Sequence, residues 1–208
     1  MPYYAVANGR IPGVFTNWND CKKQIKGFSN AVYKKFETKK LAESFITTNI
    51  SKMQEVVDYT LYTDGACSKN GSKDARAGYG IFFGVNDSRN VSKRISGKQT
   101  NNTAELTAII KTYKIIKSDL KMGKKIAIVS DSIYAIRCAT TYGKKCHSQK
   151  WIDDIPNKEL VKRAYKIYKR YPNVQFIHCR AHTKNTDAHT IGNDWADKLA
   201  TQSIWVKK

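Results

Sequence analysis

The chain has 208 residues, with 37 Lys and Arg against 17 Asp and Glu and a formal net charge of +20. That length allows one or two compact domains, and a composition of 41% apolar and 11% aromatic residues excludes a wholly disordered basic tail. So large a positive excess favours nucleic acid or an anionic membrane surface as partner over an acidic protein or a neutral metabolite.

No apolar run approaches the ~20 residues of a membrane span, and the opening MPYYAVANGR lacks the charged-then-apolar layout of a secretory signal. An intracellular protein, cytoplasmic or nuclear and with no membrane partner, is expected. The five cysteines, Cys21, Cys67, Cys138, Cys146 and Cys179, form no CxxC pair. They read as reduced thiols, and the spacing of a zinc knuckle is missing.

In chain order, YYAVA alternates like a strand, GRIPG makes a turn and VFTNW alternates again. Asn19 or Asp20 is placed to cap a helix through Ile25, AVYKKF reads as a third strand, and a helix follows from about Thr38 to Ile46. This pattern suits an α/β module of ~50 residues, near the lower limit for independent stability. Near residues 48–58 two apolar patterns end and restart. The residues up to 52 carry nine Lys and Arg against three Asp and Glu, and those after it carry 28 against 14, so both parts are basic.

The second part opens with strand 59–66, then turn-rich CSKNGSKDARAG, a strand YGIFFGV and another near NVSKRISG, an antiparallel meander. Leu106, Ile109, Ile110 and Tyr113 then repeat at helical spacing until Met122-Gly123. IAIV at 126–129 reads as a buried parallel strand, and a helix from Ser132 to about Thr140 follows. The stretch 141–156 reads as irregular, basic and aromatic. A helix through Leu160, Val161, Ala164, Ile167 and Tyr168, a strand VQFIHC and a last helix from Gly192 to Thr201 complete the chain. Three meandering strands, then helices alternating with two more strands, imply a mixed sheet with helices packed on it.

Four acids stand at the ends of these elements: Asp64, Glu105, Asp131 and Asp197. Taken singly, each reads as a cap or a surface charge. Clustered, they would repel and lose hydration unless cations neutralised them. Hard divalent ions with oxygen ligands do this, and two of them about 4 Å apart activate water against a phosphodiester.

The local strings decide between these readings. YTDGACSKNG at 62–71, QTNNTAEL at 99–106, VSDSIYAI at 129–136 and RAHTKNTDAHTIGNDWADKLA at 180–200 occur in the order of type 1 ribonuclease H, which the chain resembles throughout 59–203. YYAVANGRIPGVFTNWNDCKKQIKGFSNAVYKKFETKKLAESFI resembles that family's N-terminal RNA/DNA hybrid-binding domain.

The resemblance implies a ribonuclease H-like mixed five-stranded sheet with helices on both faces, behind a small N-terminal α/β hybrid-binding domain. The expected boundaries are 1–48 for that domain, 49–58 for a short linker, 59–203 for the catalytic domain and 204–208 for a tail. It further implies an endoribonuclease that hydrolyses the RNA strand of RNA/DNA hybrids, leaving 5′-phosphate and 3′-hydroxyl ends. Two Mg²⁺ ions, replaceable by Mn²⁺, would sit on Asp64, Glu105, Asp131 and Asp197. The family pattern of Asn, three residues, then Asp puts the fourth ligand at Asp197, with Asp194 held open as an outer ligand.

His182 aligns with a mobile family histidine that moves protons, although His189 shares its longer loop. His178 and His147 read as core or edge histidines. Asn70, Asn101 and Asn102 align with minor-groove contacts that sense 2′-hydroxyls, and Asn193 is counted with the substrate residues. Lys98 and Thr100 align with a phosphate pocket for the DNA strand, with Arg76 a further candidate. The basic, tryptophan-rich protrusion of many members is reduced here to Tyr142, Lys144, Lys145, Lys150 and Trp151. In the N-terminal domain Tyr4, Arg10, Trp18, Tyr33, Lys34 and Lys35 suit sugar stacking and phosphate pairing, while Phe36 reads as core. The expected partners are an RNA/DNA hybrid and, through the N-terminal domain, double-stranded RNA, with the protein a monomer. The rivals are another nuclease or strand-transfer enzyme of the same fold, and a hybrid-binding protein with an inert nuclease domain.

Overall fold

The computed structural model describes residues 2–28, 31–53, 57–180 and 187–205. It forms two compact units, residues 1–56 and 57–208. In the first, β1 (Tyr3–Asn8), β2 (Gly13–Phe15), α1 (Trp18–Ile25), β3 (Val32–Phe36) and α2 (Lys39–Met53) follow in order. The strands make an antiparallel sheet ordered β2-β1-β3, and both helices pack on the central strand.

Ala5 and Val6 of β1, Cys21 of α1 and Ala42 of α2 are fully buried, so the small core is built from short side chains. The cap of α1 is Asn17, not Asn19 or Asp20: its Oδ1 accepts from the Asn19 N–H at 2.7 Å, satisfying an orphan donor of the first turn. Helix α2 passes the expected end at Ile46 and runs to Met53, because TTNISKM holds no Gly or Pro to break it.

The second unit contains β4 (Tyr59–Ser68), β5 (Arg76–Phe82), β6 (Val91–Arg94), α3 (Asn101–Lys121), β7 (Ile126–Ser130), α4 (Ile133–Ala139), α5 (Thr141–Ser148), α6 (Lys158–Tyr168), β8 (Val174–His178) and α7 (Ala188–Trp205). Its five-stranded sheet is ordered β6-β5-β4-β7-β8. The β4–β5 and β5–β6 pairs are antiparallel, and β4–β7 and β7–β8 are parallel, the mixed sheet expected from the order of elements.

Strand alternation divides the core between the two faces. Leu61, Ala77, Tyr79 and Ile81 join Leu106, Ile109 and Ile116 of α3 and Val161 and Ala164 of α6 in the larger cluster. Tyr62 and Phe82 point the other way, to Ala196 of α7, and Trp195 of that helix stacks on Phe82 with centroids 5.6 Å apart. Helices therefore cover both faces.

In this unit two helices depart from expectation. The stretch read as irregular contains α5, whose eight residues show too few apolar side chains for a period to be seen. A Cβ at Gly143 would meet the Tyr165 side chain 2.7 Å away, so glycine is what lets α5 approach α6. Helix α7 begins at Ala188 rather than Gly192 and ends at Trp205 rather than Thr201. Its start is fixed by Asp187, which accepts from the N–H groups of His189 and Thr190 at 3.0 and 3.1 Å.

Candidate active site and nucleic-acid interface

Glycine at position 65 is the first requirement of the site. A Cβ there would collide with the backbone nitrogen of Glu105 and with Ala104, so only a glycine after Asp64 lets the start of α3 lie against β4. This close approach brings Asp64 to Glu105, and the parallel pairing of β4 with β7 delivers Asp131 just past the end of β7. Ligand oxygens of Asp64, Glu105 and Asp131 lie within 4.8 Å of one another. Asp64 and Glu105 are only 6% and 5% exposed, so neither carboxylate is solvated.

The electrostatics follow from that burial. Desolvation first, then the charges of Asp131 and Asp197, push Asp64 up to about 8 from an ordinary 3.8, against the opposing pull of the Gly65 N–H, which donates to Asp64 Oδ1 at 2.8 Å. Burial, with the charges of Asp64 and Asp131, raises Glu105 well above the usual carboxylate range. Asp131 is raised as well, chiefly by burial, while a hydrogen bond from the Asn193 side chain and the nearby His178 oppose the rise.

Acids held this way are either protonated or neutralised by cations. Oε2 of Glu105 is buried and has no hydrogen-bond partner, an open acceptor that a hard cation would satisfy. The donor set, oxygen atoms alone, fits a divalent ion of that kind.

Asp197 sits on α7, half-buried. Its charge reaches both Asp64 and Asp131, and it accepts from the Thr201 hydroxyl at 3.4 Å. Asp194, also half-buried, lies one turn earlier on the same helix. Asn193 is 3% exposed, and its side chain hydrogen-bonds Asp131. His178 contacts the Asp131 carbonyl oxygen at 3.1 Å, a structural tie consistent with its expected place in a strand. His147 is exposed, 3.4 Å from Lys169 Nζ. His182 lies outside the described residues. His189 is on the first turn of α7, 3.4 Å from the Tyr62 hydroxyl, and that hydroxyl donates to the Ala188 carbonyl at 3.1 Å.

The expected substrate residues gather at the start of α3. Asn70, Asn101 and Asn102 are exposed, and the Asn101 N–H donates to Asn70 Oδ1 at 3.4 Å, tying the β4–β5 loop to the helix. Thr100 is the N-cap of α3: its hydroxyl accepts from the Thr103 N–H at 3.2 Å, and its own N–H donates to Thr103 Oγ1 at 3.1 Å. The Thr103 hydroxyl also bonds the Lys98 carbonyl at 2.7 Å, which leaves the exposed ammonium of Lys98 beside the helix N-terminus, where anions are favoured.

Gln99, which was not singled out in the sequence, holds this loop. Its Oε1 accepts from the Ala77 N–H at 2.8 Å and its Nε2 donates to the Gly97 carbonyl at 2.8 Å. Its position inside QTNNTAEL was the only signal available. Arg76, at the start of β5, is exposed.

In the first unit, the Trp18 ring lies 5.4 Å from Tyr4 and 6.0 Å from Tyr33, with Trp18 40% and Tyr33 47% exposed. Arg10 Nη1 donates to the carbonyls of Lys23 and Lys26 at 2.9 and 2.7 Å, a cation closing the C-terminus of α1. Alternation along β3 puts Lys34 on the face opposite Tyr33 and Lys35, its Nζ 5.7 Å from the Phe36 centroid. Phe36 packs on Phe45 at 5.2 Å, as a core residue does. In the reduced protrusion, Lys144, Lys145 and Lys150 are exposed, whereas Tyr142 and Trp151 pack against the main core.

Buried acids on this mixed sheet, beside an exposed polar helix start, define a metal-dependent nuclease of the ribonuclease H fold. A family model described as RNase H matches residues 57–204, and one described as Ribonuclease H1 N-terminal domain matches residues 2–46. The chain belongs to the RNase H family, as a type 1 ribonuclease H with an N-terminal domain, a nuclease class that acts on RNA/DNA hybrids.

Ribonuclease H1 of Rattus norvegicus is 27% identical over 96% of this chain and 88% of its own length. Ribonuclease H of Schizosaccharomyces pombe is 28% identical over 95% of each. Among solved structures, the native Prototype Foamy Virus protease-reverse transcriptase matches 72% of this chain and 21% of its own with a TM-score of 0.57 and 26% identity. No helix among the described residues is long and apolar enough to cross a membrane.

Proposed function

We propose that the chain hydrolyses the RNA strand of RNA/DNA hybrids endonucleolytically with two divalent ions, Mg²⁺ or Mn²⁺, leaving 5′-phosphate and 3′-hydroxyl ends. The observation that supports this best is the convergence of Asp64, Glu105 and Asp131 within 4.8 Å around a buried acceptor without a partner. These three and Asp197 would hold the metal. When bound, divalent cations supply Lewis-acid activation of water and neutralise charge at the phosphodiester.

The chain's own groups do the rest. Asn193 holds the Asp131 carboxylate in place. Asn70, Asn101 and Asn102 present amides, which both donate and accept, to the minor groove and its 2′-hydroxyls. Lys98 at the start of α3 grips a phosphate of the DNA strand. His182 moves a proton, a task for which an imidazole with a pKa near neutrality is suited. Tyr4, Trp18, Tyr33 and Lys35 hold the hybrid on the first unit, which extends to double-stranded RNA, and the protein works as a monomer.

The test is cleavage of end-labelled hybrid, double-stranded RNA, single-stranded RNA and double-stranded DNA, each with Mg²⁺ and with EDTA. Metal-dependent cutting confined to the RNA strand of the hybrid is expected. Cutting of duplex DNA, or tight hybrid binding with no cutting at all, would overturn the proposal.

A further inference from the structure

Helices α3 and α6 enclose a groove of about 830 Å³ that the site described above does not use. Lys114 and Lys117 line it from α3, Lys162, Arg163 and Lys166 from α6, and Arg170 from the turn that follows α6. Its one acid, Glu159, is already paired with Lys162 at 3.0 Å. The other five cations make no ion pair with a described carboxylate. Like charges gathered along one furrow repel one another, a cost that a polyanion lying in it would relieve.

Two aromatic rings line the groove beside the cations. Tyr113 and Tyr171 are half-buried there, their hydroxyls 3.2 Å apart and their ring centroids 5.6 Å apart. Cations interleaved with aromatic rings are the chemistry that binds single strands, phosphates to the cations and bases to the rings.

The two helices are in direct contact, the Tyr168 hydroxyl donating to the Ile109 carbonyl at 2.7 Å, so the groove follows a single helix–helix seam. At a helical rise of about 1.5 Å per residue, Arg163 and Lys166 lie roughly 4.5 Å apart along α6, with Arg170 in the turn beyond it.

We propose that the α3–α6 groove is a second nucleic-acid site, which binds the backbone and bases of a single strand. The inference does not depend on hydrolysis: an inert carboxylate cluster would leave it standing, and cleavage is not its readout.

The test uses the whole chain and a labelled oligodeoxythymidylate. In a salt series followed by fluorescence anisotropy, the variant Lys117→Gln/Arg163→Gln/Lys166→Gln is expected to lower the slope of log affinity against log salt by about 2, three contacts at about 0.7 each. On the unsubstituted protein, lysine acetylation read by mass spectrometry should show Lys114, Lys117 and Lys166 protected by the oligonucleotide, and exposed Lys169 unprotected. An unchanged slope, or no protection of these lysines, would overturn the proposal. So would stronger protection by polyglutamate, which would mark an acidic protein partner, or equal protection by blunt duplex DNA.

Discussion

The two units present their functional groups in opposite ways. In the nuclease unit Asp64 and Glu105 are 6% and 5% exposed and are pressed together against their own repulsion. In the first unit Trp18 and Tyr33 are 40% and 47% exposed and lie in an open aromatic cluster. The acids destabilise the metal-free fold, and a cation relieves that penalty. The aromatic cluster strains nothing and contributes when a ligand covers it. A change at the first site should therefore appear in catalysis and in metal-linked stability, and a change at the second in affinity.

The largest expected effect is on the chemistry. Asp131→Asn keeps the size of the side chain and removes a charge from the cluster; it should lower single-turnover cleavage by on the order of 10²–10³-fold, with hybrid affinity held within a few-fold. A parallel loss of binding would break the division between the units.

Next comes stability against pH. Asp64 binds its proton more tightly folded than unfolded, its pKa rising from 3.8 to about 8. Its penalty is absent below about pH 4, grows as pH rises and levels off above about pH 8. Thermal unfolding of EDTA-treated protein should therefore move to lower temperature across that window. At a concentration 100-fold above its Kd at pH 8, Mn²⁺ should raise Tm by roughly 5–10 °C at pH 8, and the same concentration should raise it by less at pH 5. A metal shift that does not depend on pH would remove the buried acids from the account.

Trp18→Ala should weaken hybrid binding by about 1–3 kcal/mol and leave cleavage at saturation unchanged, measured by anisotropy beside single-turnover kinetics. Equal losses in both would mean that the first unit takes part in the chemical step. The smallest effect is expected at Arg10, whose Nη1 donates to the carbonyls of Lys23 and Lys26. Arg10→Gln should destabilise its unit by about 0.3–1 kcal/mol without altering the salt dependence of hybrid binding. A lower salt slope would return Arg10 to the phosphate-binding set.

How far the sequence could be read depended on where the physical cause of each feature lay. The mixed sheet and the three clustered acids were legible because each strand alternates or is wholly apolar and each acid stands at an element end within a distinctive string. Helix α5 escaped notice because TYGKKCHS packs through Tyr142, Gly143 and Cys146, too few apolar contacts to mark a period. The neighbours of Arg10, Lys34 and Asn193 were not legible because they are not local. Only the fold shows that the end of α1 lies beside Arg10. Lys34 and Lys35 are neighbours in sequence, yet the period of two sends them to opposite faces. Asn193 is buried beside Asp131, an acid 62 positions earlier in the chain.

The measurement that tests the central claim most directly is anomalous diffraction from Mn²⁺ in crystals of the whole chain, bound to a hybrid chemically blocked against cleavage. The account predicts two peaks about 4 Å apart between the substrate phosphate and the carboxylates of Asp64, Glu105, Asp131 and Asp197. Peaks only elsewhere on the surface, with the cluster left to share protons, would contradict it.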